Sequence, residues 1–217
     1  AAYPKGSPDI ESSVTRVPSY TAEVQKMGVE IVDSIDALLT KVDAVLLETN
    51  DGRPHLEQVR PVLKAGKPVF IDKPIAGSLA DTMAIFDEAK KANVPLFSSS
   101  SLRYGTQTLA VRGGSLGRVN RCETFSPAAL EKTHPDLFWY GVHGVEMLYT
   151  VMGTGCDEVT RTHTADTDFV TGRWKDGRIG TFRGIRKGNA TYGAVVYGTA
   201  GIVEAGRYGG YEPLVQQ

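Results

Sequence analysis

Val42-Asp-Ala-Val-Leu-Leu-Glu-Thr-Asn50 and, a little further on, Gly66-Lys-Pro-Val-Phe-Ile-Asp-Lys-Pro74 decide how this chain is read. Ala44 to Leu47 is an unbroken apolar run of strand length, and Pro68 to Ile71 is another. A strand with one wet face alternates apolar and polar residues. A run that is apolar throughout suits a parallel sheet covered on both faces. The residues between the two runs predict a helix from about Pro54 to Ala65. Asp51 is placed to cap it, Pro54 suits its first turn, and Leu56, Val59 and Leu63 share one face. Pro61 predicts a kink or restart inside it, and Gly66 a stop.

The same alternation extends in both directions. Upstream, Gly28 to Asp33 alternates like a strand, and Ser34 is positioned to cap a short helix ending near Leu39. Downstream, Ser78 opens a helix with Asp81 three residues on, a variant of the capping box. Leu79, Met83, Phe86 and Ala89 are its expected buried stripe, and Pro95-Leu-Phe97 begins another strand. Residues 28–100 therefore read as alternating strands and helices, the pattern of a parallel α/β sheet with right-handed crossovers. The first twenty residues, rich in Ser, Pro and Thr, read as a loop.

Beyond about residue 115 the texture changes. Gly117 to Phe125 alternates, Trp139 to Met152 is a helix candidate, and Asp157 to Glu204 holds several β-rich runs. These runs are punctuated by Asp176-Gly177, Gly188-Asn189 and Gly198-Thr-Ala-Gly201, so successive antiparallel strands are expected. The chain thus divides into an α/β part, residues 1–108, and an α+β part with a largely antiparallel open sheet, residues 109–217.

Composition narrows the function classes. The 217 residues carry a net charge of −1, and no Lys/Arg-rich run suggests a nucleic-acid partner. No apolar stretch is long enough to span a bilayer. Cys122 and Cys156 are too few for a disulfide framework and lack a metal-ligand spacing, so no metal site is expected. The chain begins Ala-Ala-Tyr-Pro without a Met and reads as a piece of a longer product; cytoplasmic location is expected, with a periplasmic one left open.

Chemistry concentrates at two places. Asp72-Lys73-Pro74 follows a strand directly, and in open α/β sheets ligands bind at the carboxyl ends of the strands. A lysine there can orient a substrate hydroxyl or touch a cofactor; it can equally be a surface residue at a strand-to-loop junction. The second place is Trp139-Tyr-Gly-Val-His143-Gly-Val-Glu146. A histidine suits proton transfer near neutrality, and Glu146 lies one helical turn away, where it can fix the ring. The alternative is a packed histidine at the domain junction. His134 and Asp136 fall in a polar segment that reads as a solvated loop, His163 has no partner in sequence, and Phe138, Trp139 and Tyr140 suit either a core or a sugar face.

In their order these segments resemble the Gfo/Idh/MocA family of oxidoreductases. Thr49-Asn50, His55, Ala65-Gly-Lys67 and Asp72-Lys73-Pro74 follow one another as in that family, with Asp72 where Glu is usual. Ser101-Leu-Arg103-Tyr104 looks like the family's Asn-x-Arg-Phe/Tyr, and Gly114 to Val119 like the turn into its second domain. Gly141 and His143 match Asp-x-Gly-x-His-x-x-Asp, with Glu146 at the final position and Trp139 where the site Asp would stand. The resemblance implies a partial Rossmann-type domain followed by a substrate and oligomerisation domain. It implies hydride transfer between NAD or NADP and a sugar, polyol or related small carbohydrate. Lys73, His143 and Glu146 would be catalytic. Thr49, Asn50, His55, Asp72, Lys73, Pro74 and Arg103 would line the cofactor. It also implies a homo-oligomer, dimer or tetramer, with self-association through the exposed face of the second sheet. Two rivals remain at this stage: a ligand-binding or regulatory protein on the same scaffold, and a lyase or hydrolase using the nicotinamide transiently. The family's Gly-x-Gly-x-x-Gly pyrophosphate unit does not occur in the 217 residues, and Tyr211 to Gln217 resembles the start of its last helical segment.

Overall fold

The structure is a computed structural model that describes residues 1–207 and Gly209. The Tyr211–Gln217 stretch read above lies outside the described residues. The chain separates into two compact units, Ala1–Ser99 and a second that starts at Ser100, so the 3₁₀ turn at Ser101–Tyr104 belongs to the second.

In the first unit the order is α1 (Glu11–Lys26), α2 (Ile35–Leu39), β1 (Val45–Leu47), α3 (His55–Lys64), β2 (Val69–Ile71), α4 (Leu79–Ala92) and β3 (Leu96–Ser98). The strands form a parallel sheet in the order β1-β2-β3, with Leu47 opposite Ile71 and Ile71 opposite Ser98. Val45, Val69 and Ile71 point to one face, where Val59, Val62 and Leu63 of α3 and Ile85 and Ala89 of α4 bury them. Leu46, Phe70 and Phe97 are paired across the other face; the two phenylalanine rings lie 5.0 Å apart, and Leu46 and Phe97 are exposed.

Caps account for the helix starts. Ser34 Oγ accepts from Ala37 N at 3.2 Å, and Ser78 Oγ accepts from Asp81 N at 3.1 Å. Asn93, in the left-handed region at φ 53°, closes α4. Several expectations need correction. The opening loop is largely the helix α1, with Pro18 inside it. Tertiary contacts override its weak propensity: Ser13 Oγ donates to Asn50 Oδ1 at 2.5 Å, and Asn50 Nδ2 donates to Ser12 Oγ at 2.8 Å. The strand expected at Gly28–Asp33 is reduced to one bridge, Ala2 to Ile31. Helix α3 runs through Pro61 without a restart, and Gln58 N to Pro54 O (2.9 Å) and Ala65 N to Pro61 O (3.0 Å) hold it on either side. Asp51 does not cap α3; its carboxylate accepts from Arg53 N at 2.9 Å instead. Finally, Leu79, Met83 and Phe86 are 67%, 59% and 47% exposed, and the buried face of α4 is Ile85 and Ala89.

The second unit contains the 3₁₀ turn Ser101–Tyr104, α5 (Thr106–Arg112), β4 (Val119–Pro127), a 3₁₀ turn Asp136–Phe138, and α6 (Val142–Met152). Strands β5 (Cys156–His163), β6 (Thr167–Trp174), β7 (Ile179–Ile185), β8 (Gly193–Gly198) and β9 (Gly201–Ala205) follow. They form one sheet, β5-β6-β7-β4-β8-β9, in which every neighbour is antiparallel except β4 and β7. Two hairpins fall at expected glycines: Gly177 takes φ 86° between β6 and β7, and Gly198 pairs with Gly201 between β8 and β9. Gly188-Asn189 instead joins β7 and β8, which are separated by β4, and the β5–β6 turn lies at residues 164–166 without a glycine. Helix α6 packs on this sheet through Met147, Leu148, Val151 and Met152, against Trp174, Phe182, Ala194 and Val196. Gly144 makes that approach close. A Cβ there would meet the Phe182 ring at 2.8 Å and Ser126 Oγ at 2.9 Å. Asp168, fully buried on β6, is held by Arg161 Nε at 2.7 Å and by Arg186. Among the described residues no helix is long and apolar enough to cross a membrane.

Candidate functional site

In the first unit the polar residues gather at the carboxyl ends of β1 and β2. The pairing of Leu47 with Ile71 brings Glu48 and Asp72 out of neighbouring strands at the same level, and Asp72 N donates to Leu47 O at 2.9 Å. Burial pushes the Glu48 carboxyl above its usual range, and the charge of Asp72 adds to the effect. Burial also raises Asp72, against the lowering pull of a Lys73 backbone hydrogen bond and of the Lys73 and His55 charges. Two carboxyls that resist ionisation are thus set beside Lys73, which is half-buried and joined to the buried Pro74 by a cis peptide.

Behind these groups the two loops are tied together. His55 is fully buried, with Nε2 2.7 Å from Thr49 O and Nδ1 3.2 Å from Ile75 O. Burial lowers its basicity, against the two carbonyl oxygens, which favour a proton on the nitrogen facing each of them. His55 is therefore a brace between the strand-end loops and not a group open to a ligand. Thr49 Oγ1 donates to Gln58 Oε1 at 3.0 Å. Asn50 is held by Ser12 and Ser13, and Asp51 by Arg53 and Ser7. A Cβ on Gly52 would strike the Ala76 backbone at 2.6 Å, so the loops approach as only glycine permits.

In the second unit, α6 carries His143 and Glu146 one turn apart. Glu146 accepts from Ser100 N through Oε2 and from Arg103 Nε through Oε1, each at 2.8 Å. His143 Nδ1 lies 2.8 Å from Ser100 Oγ. Tyr140 and Tyr192 stand edge-on to its ring at 5.2 and 5.8 Å. Trp139 packs tilted against His134 with ring centroids 5.0 Å apart, and this histidine is buried, not solvated as its polar segment suggested. Asp136, the one carboxylate just upstream, pairs with Arg161 at 3.1 Å. Lys73 and His143 thus belong to different units, each with its own supports. Reading the sequence missed Ser100 and the Asp9–Arg53–Asp51 cluster. The run Ser98-Ser-Ser-Ser101 at a strand end was the available signal for Ser100.

A parallel sheet with its polar groups at the carboxyl strand ends, followed by a mixed open sheet carrying a helix-borne histidine, is the arrangement of a ligand-binding α/β domain with a second domain. Residues 11–100 match the family described as "Oxidoreductase family, NAD-binding Rossmann fold", Gfo/Idh/MocA. Myo-inositol 2-dehydrogenase of Thermotoga maritima is 29% identical over 191 residues, covering 76% of this chain and 56% of that protein. The aldose-aldose oxidoreductase of Caulobacter crescentus, solved with glycerol, superposes with a TM-score of 0.74 at 18% identity, over 89% of this chain and 68% of that one. The WlbA dehydrogenase of Bordetella pertussis, solved with NADH and UDP-GlcNAcA, does so at 0.68 and 20%, over 86% and 63%. These matches support a likeness to the Gfo/Idh/MocA oxidoreductases, with the family match itself confined to residues 11–100. The chain spans about half the length of the curated relatives it matches, 56% and 43%.

Proposed function

We propose that this chain carries the reactive half of an NAD- or NADP-dependent oxidoreductase that passes hydride between the nicotinamide and a sugar, polyol or related carbohydrate. The observation that carries the reading is the place of Lys73. It leaves the carboxyl end of the central strand of a parallel sheet, inside the stretch matched to an NAD-binding fold.

The residues present fit the nicotinamide end of such a cofactor. Glycine lets the two strand-end loops close on one another, and Thr49, Asp72, Lys73 and Pro74 bring hydroxyl, carboxyl and ammonium groups to one edge. Bound there, the nicotinamide would supply the hydride acceptor or donor. Lys73 would hold the substrate oxygen and favour its deprotonated form through its charge. Asp72 and Glu48 would border that oxygen, both with carboxyls raised by burial. Asn50 and His55 would act from behind, by fixing the loops. His143 would take or return the hydroxyl proton, while Glu146 and Arg103 secure the segment that carries its partner Ser100. Residues 1–108 would serve the dinucleotide, and residues 109–217 the substrate.

Titration with NAD and NADP, and nicotinamide absorbance followed on a panel led by inositols and aldoses, test the reading. Lys73→Ala and His143→Ala should each lower kcat/KM by roughly 10²- to 10⁴-fold; unchanged turnover in both variants would sink the assignment. Self-association is proposed through the uncovered face of the six-stranded sheet, where Phe169 and Ile179 are exposed beside Arg183 and Arg121. Sedimentation should show a dimer or tetramer at micromolar concentration. A second reading, a binding protein that has lost turnover, is favoured by one observation: Trp139 spends its ring on His134 where the family carries a site Asp. Tight cofactor binding with no turnover on any polyol would select it.

A further inference from the structure

We propose that Asp136 and Arg161 are positioning residues for His143: together they fix the turn from which α6 starts, and with it the place of the imidazole carried by the second residue of that helix. The proposal rests on the acid/base role given to His143 above.

Four observations carry it. First, Asp136 stands at φ 38°, in the left-handed region that most side chains resist and aspartate tolerates. It opens the 3₁₀ turn Asp136–Phe138, in which Phe138 N donates to Pro135 O at 3.0 Å. Second, both oxygens of its carboxylate meet one guanidinium. Arg161 Nη1 lies 3.1 Å from Oδ2, and Nη2 donates to Oδ1 at 3.4 Å. Third, Arg161 is itself held from below. Its Nε donates at 2.7 Å to Asp168, which is fully buried and also bound by Arg186. Arg186 is tied in turn to Thr164 O at 2.7 Å and Ala165 O at 3.0 Å. Fourth, the turn bears directly on α6. Leu137 packs on Gly141, the residue before the helix, so closely that a Cβ there would meet Leu137 Cβ at 2.9 Å and Leu137 O at 3.1 Å.

An ion pair between two exposed side chains holds little, because ordering them offsets most of the attraction. Here most of that ordering is already done. Asp168 holds the guanidinium by one edge, and its other edge meets Asp136. One arginine thus connects a buried carboxylate on β6 to a surface turn just before α6. Position 136 then has two requirements, an acceptor for Arg161 and a left-handed backbone. Aspartate and asparagine meet both, glycine meets the second alone, and alanine meets neither. Charge, acceptor and backbone shape can therefore be separated by substitution. Asp136 acts on His143 through Leu137 and Gly141, and not by touching substrate.

Amide hydrogen exchange of the whole protein tests this without requiring turnover. It is read at His143 and Val145, whose N–H groups donate to Tyr140 O at 3.3 Å and Gly141 O at 3.2 Å, with Leu148 to Met152 as the internal reference. Asp136→Ala should speed exchange at both sites by roughly 5-fold or more, since it loses the acceptor and resists the left-handed backbone. Asp136→Gly, which loses the acceptor alone, should speed it by about 2- to 5-fold. Asp136→Asn should stay within about 2-fold of wild type. No change in Asp136→Ala, or a change in Asp136→Asn as large as in Asp136→Ala, overturns the proposal. If Asp136→Ala fails to fold, Arg161→Gln decides: it should match Asp136→Gly, and unchanged exchange overturns the proposal equally. Where turnover is measurable, Asp136→Ala should lower kcat by roughly 10-fold with KM little changed, and Asp136→Asn should keep it. A loss of kcat in Asp136→Asn with exchange unchanged would place Asp136 in the chemistry and overturn the positioning role. A wild type without turnover would count against the proposed function, and the exchange result would still stand for or against the turn.

Discussion

Asp72 and Asp168 are both aspartates drawn into the protein at a β-strand, and they are treated in opposite ways. Asp168 lies near the start of β6, one strand in from the edge of the mixed sheet. Burial pushes its carboxyl up, but Arg186 and Arg161, both hydrogen-bonded to it, together pull it below the ordinary aspartate range. Asp72 lies at the end of the parallel sheet beside Glu48. There burial prevails over Lys73 and His55, and the carboxyl is held above that range. Compensation marks a group that secures a fold. A carboxyl left poorly compensated in a strand-end cluster lowers stability, and such groups concentrate where chemistry is done.

Breaking the compensated site should have the larger effect. Asp168→Ala removes the buried carboxylate that Arg161 and Arg186 share, and should cost about 1–3 kcal/mol in urea unfolding. A loss below about 1 kcal/mol would show that the arginines find water or other acceptors. The pH dependence sharpens the contrast. Because the folded carboxyl of Asp168 is lowered from 3.8, its contribution is complete above about pH 4 and drains away as the pH falls through the folded value. The wild type should therefore lose more stability on acidification than Asp168→Asn does. Asp72 has the reverse sign. Its folded carboxyl is raised, so wild-type stability falls as the pH rises from about 4 through the folded value. Asp72→Asn should then raise Tm at pH 7, with the gain vanishing below about pH 4; equal Tm at both pH values would contradict the burial argument. The smallest effect is expected on the uncovered face of the first sheet, where Leu46→Thr should change stability by no more than about 0.5 kcal/mol. A large loss there would mean that this face is covered in solution.

How much of this was legible beforehand follows the same division. Strands β1 and β2 and the caps Ser34 and Ser78 were readable because their signals are local: a continuous apolar run, or a hydroxyl three residues before a backbone N–H. The buried side of α4 was not. Periodicity pointed to Leu79, Met83 and Phe86 with Ala89, whereas packing against α3 and the sheet buries Ile85 with Ala89. Helix α1 was missed because its stability comes from Asn50, far along the chain. Lys73 and His143 stood out by residue type and by resemblance. Ser100 did not, since a serine among four serines carries no direction until Glu146 and His143 fold against it.

Gly144, one residue after His143, has a consequence for anyone reshaping this protein. The helix carrying His143 lies so near Phe182 and Ser126 that position 144 has no room for a methyl group. In a saturation library across Val142–Met152, position 144 should accept almost nothing, even in clones selected only for expression. A substitution there would lift the helix and carry the imidazole with it. The position to hold fixed when evolving new specificity is therefore a residue without a side chain, next to the residue most worth varying around.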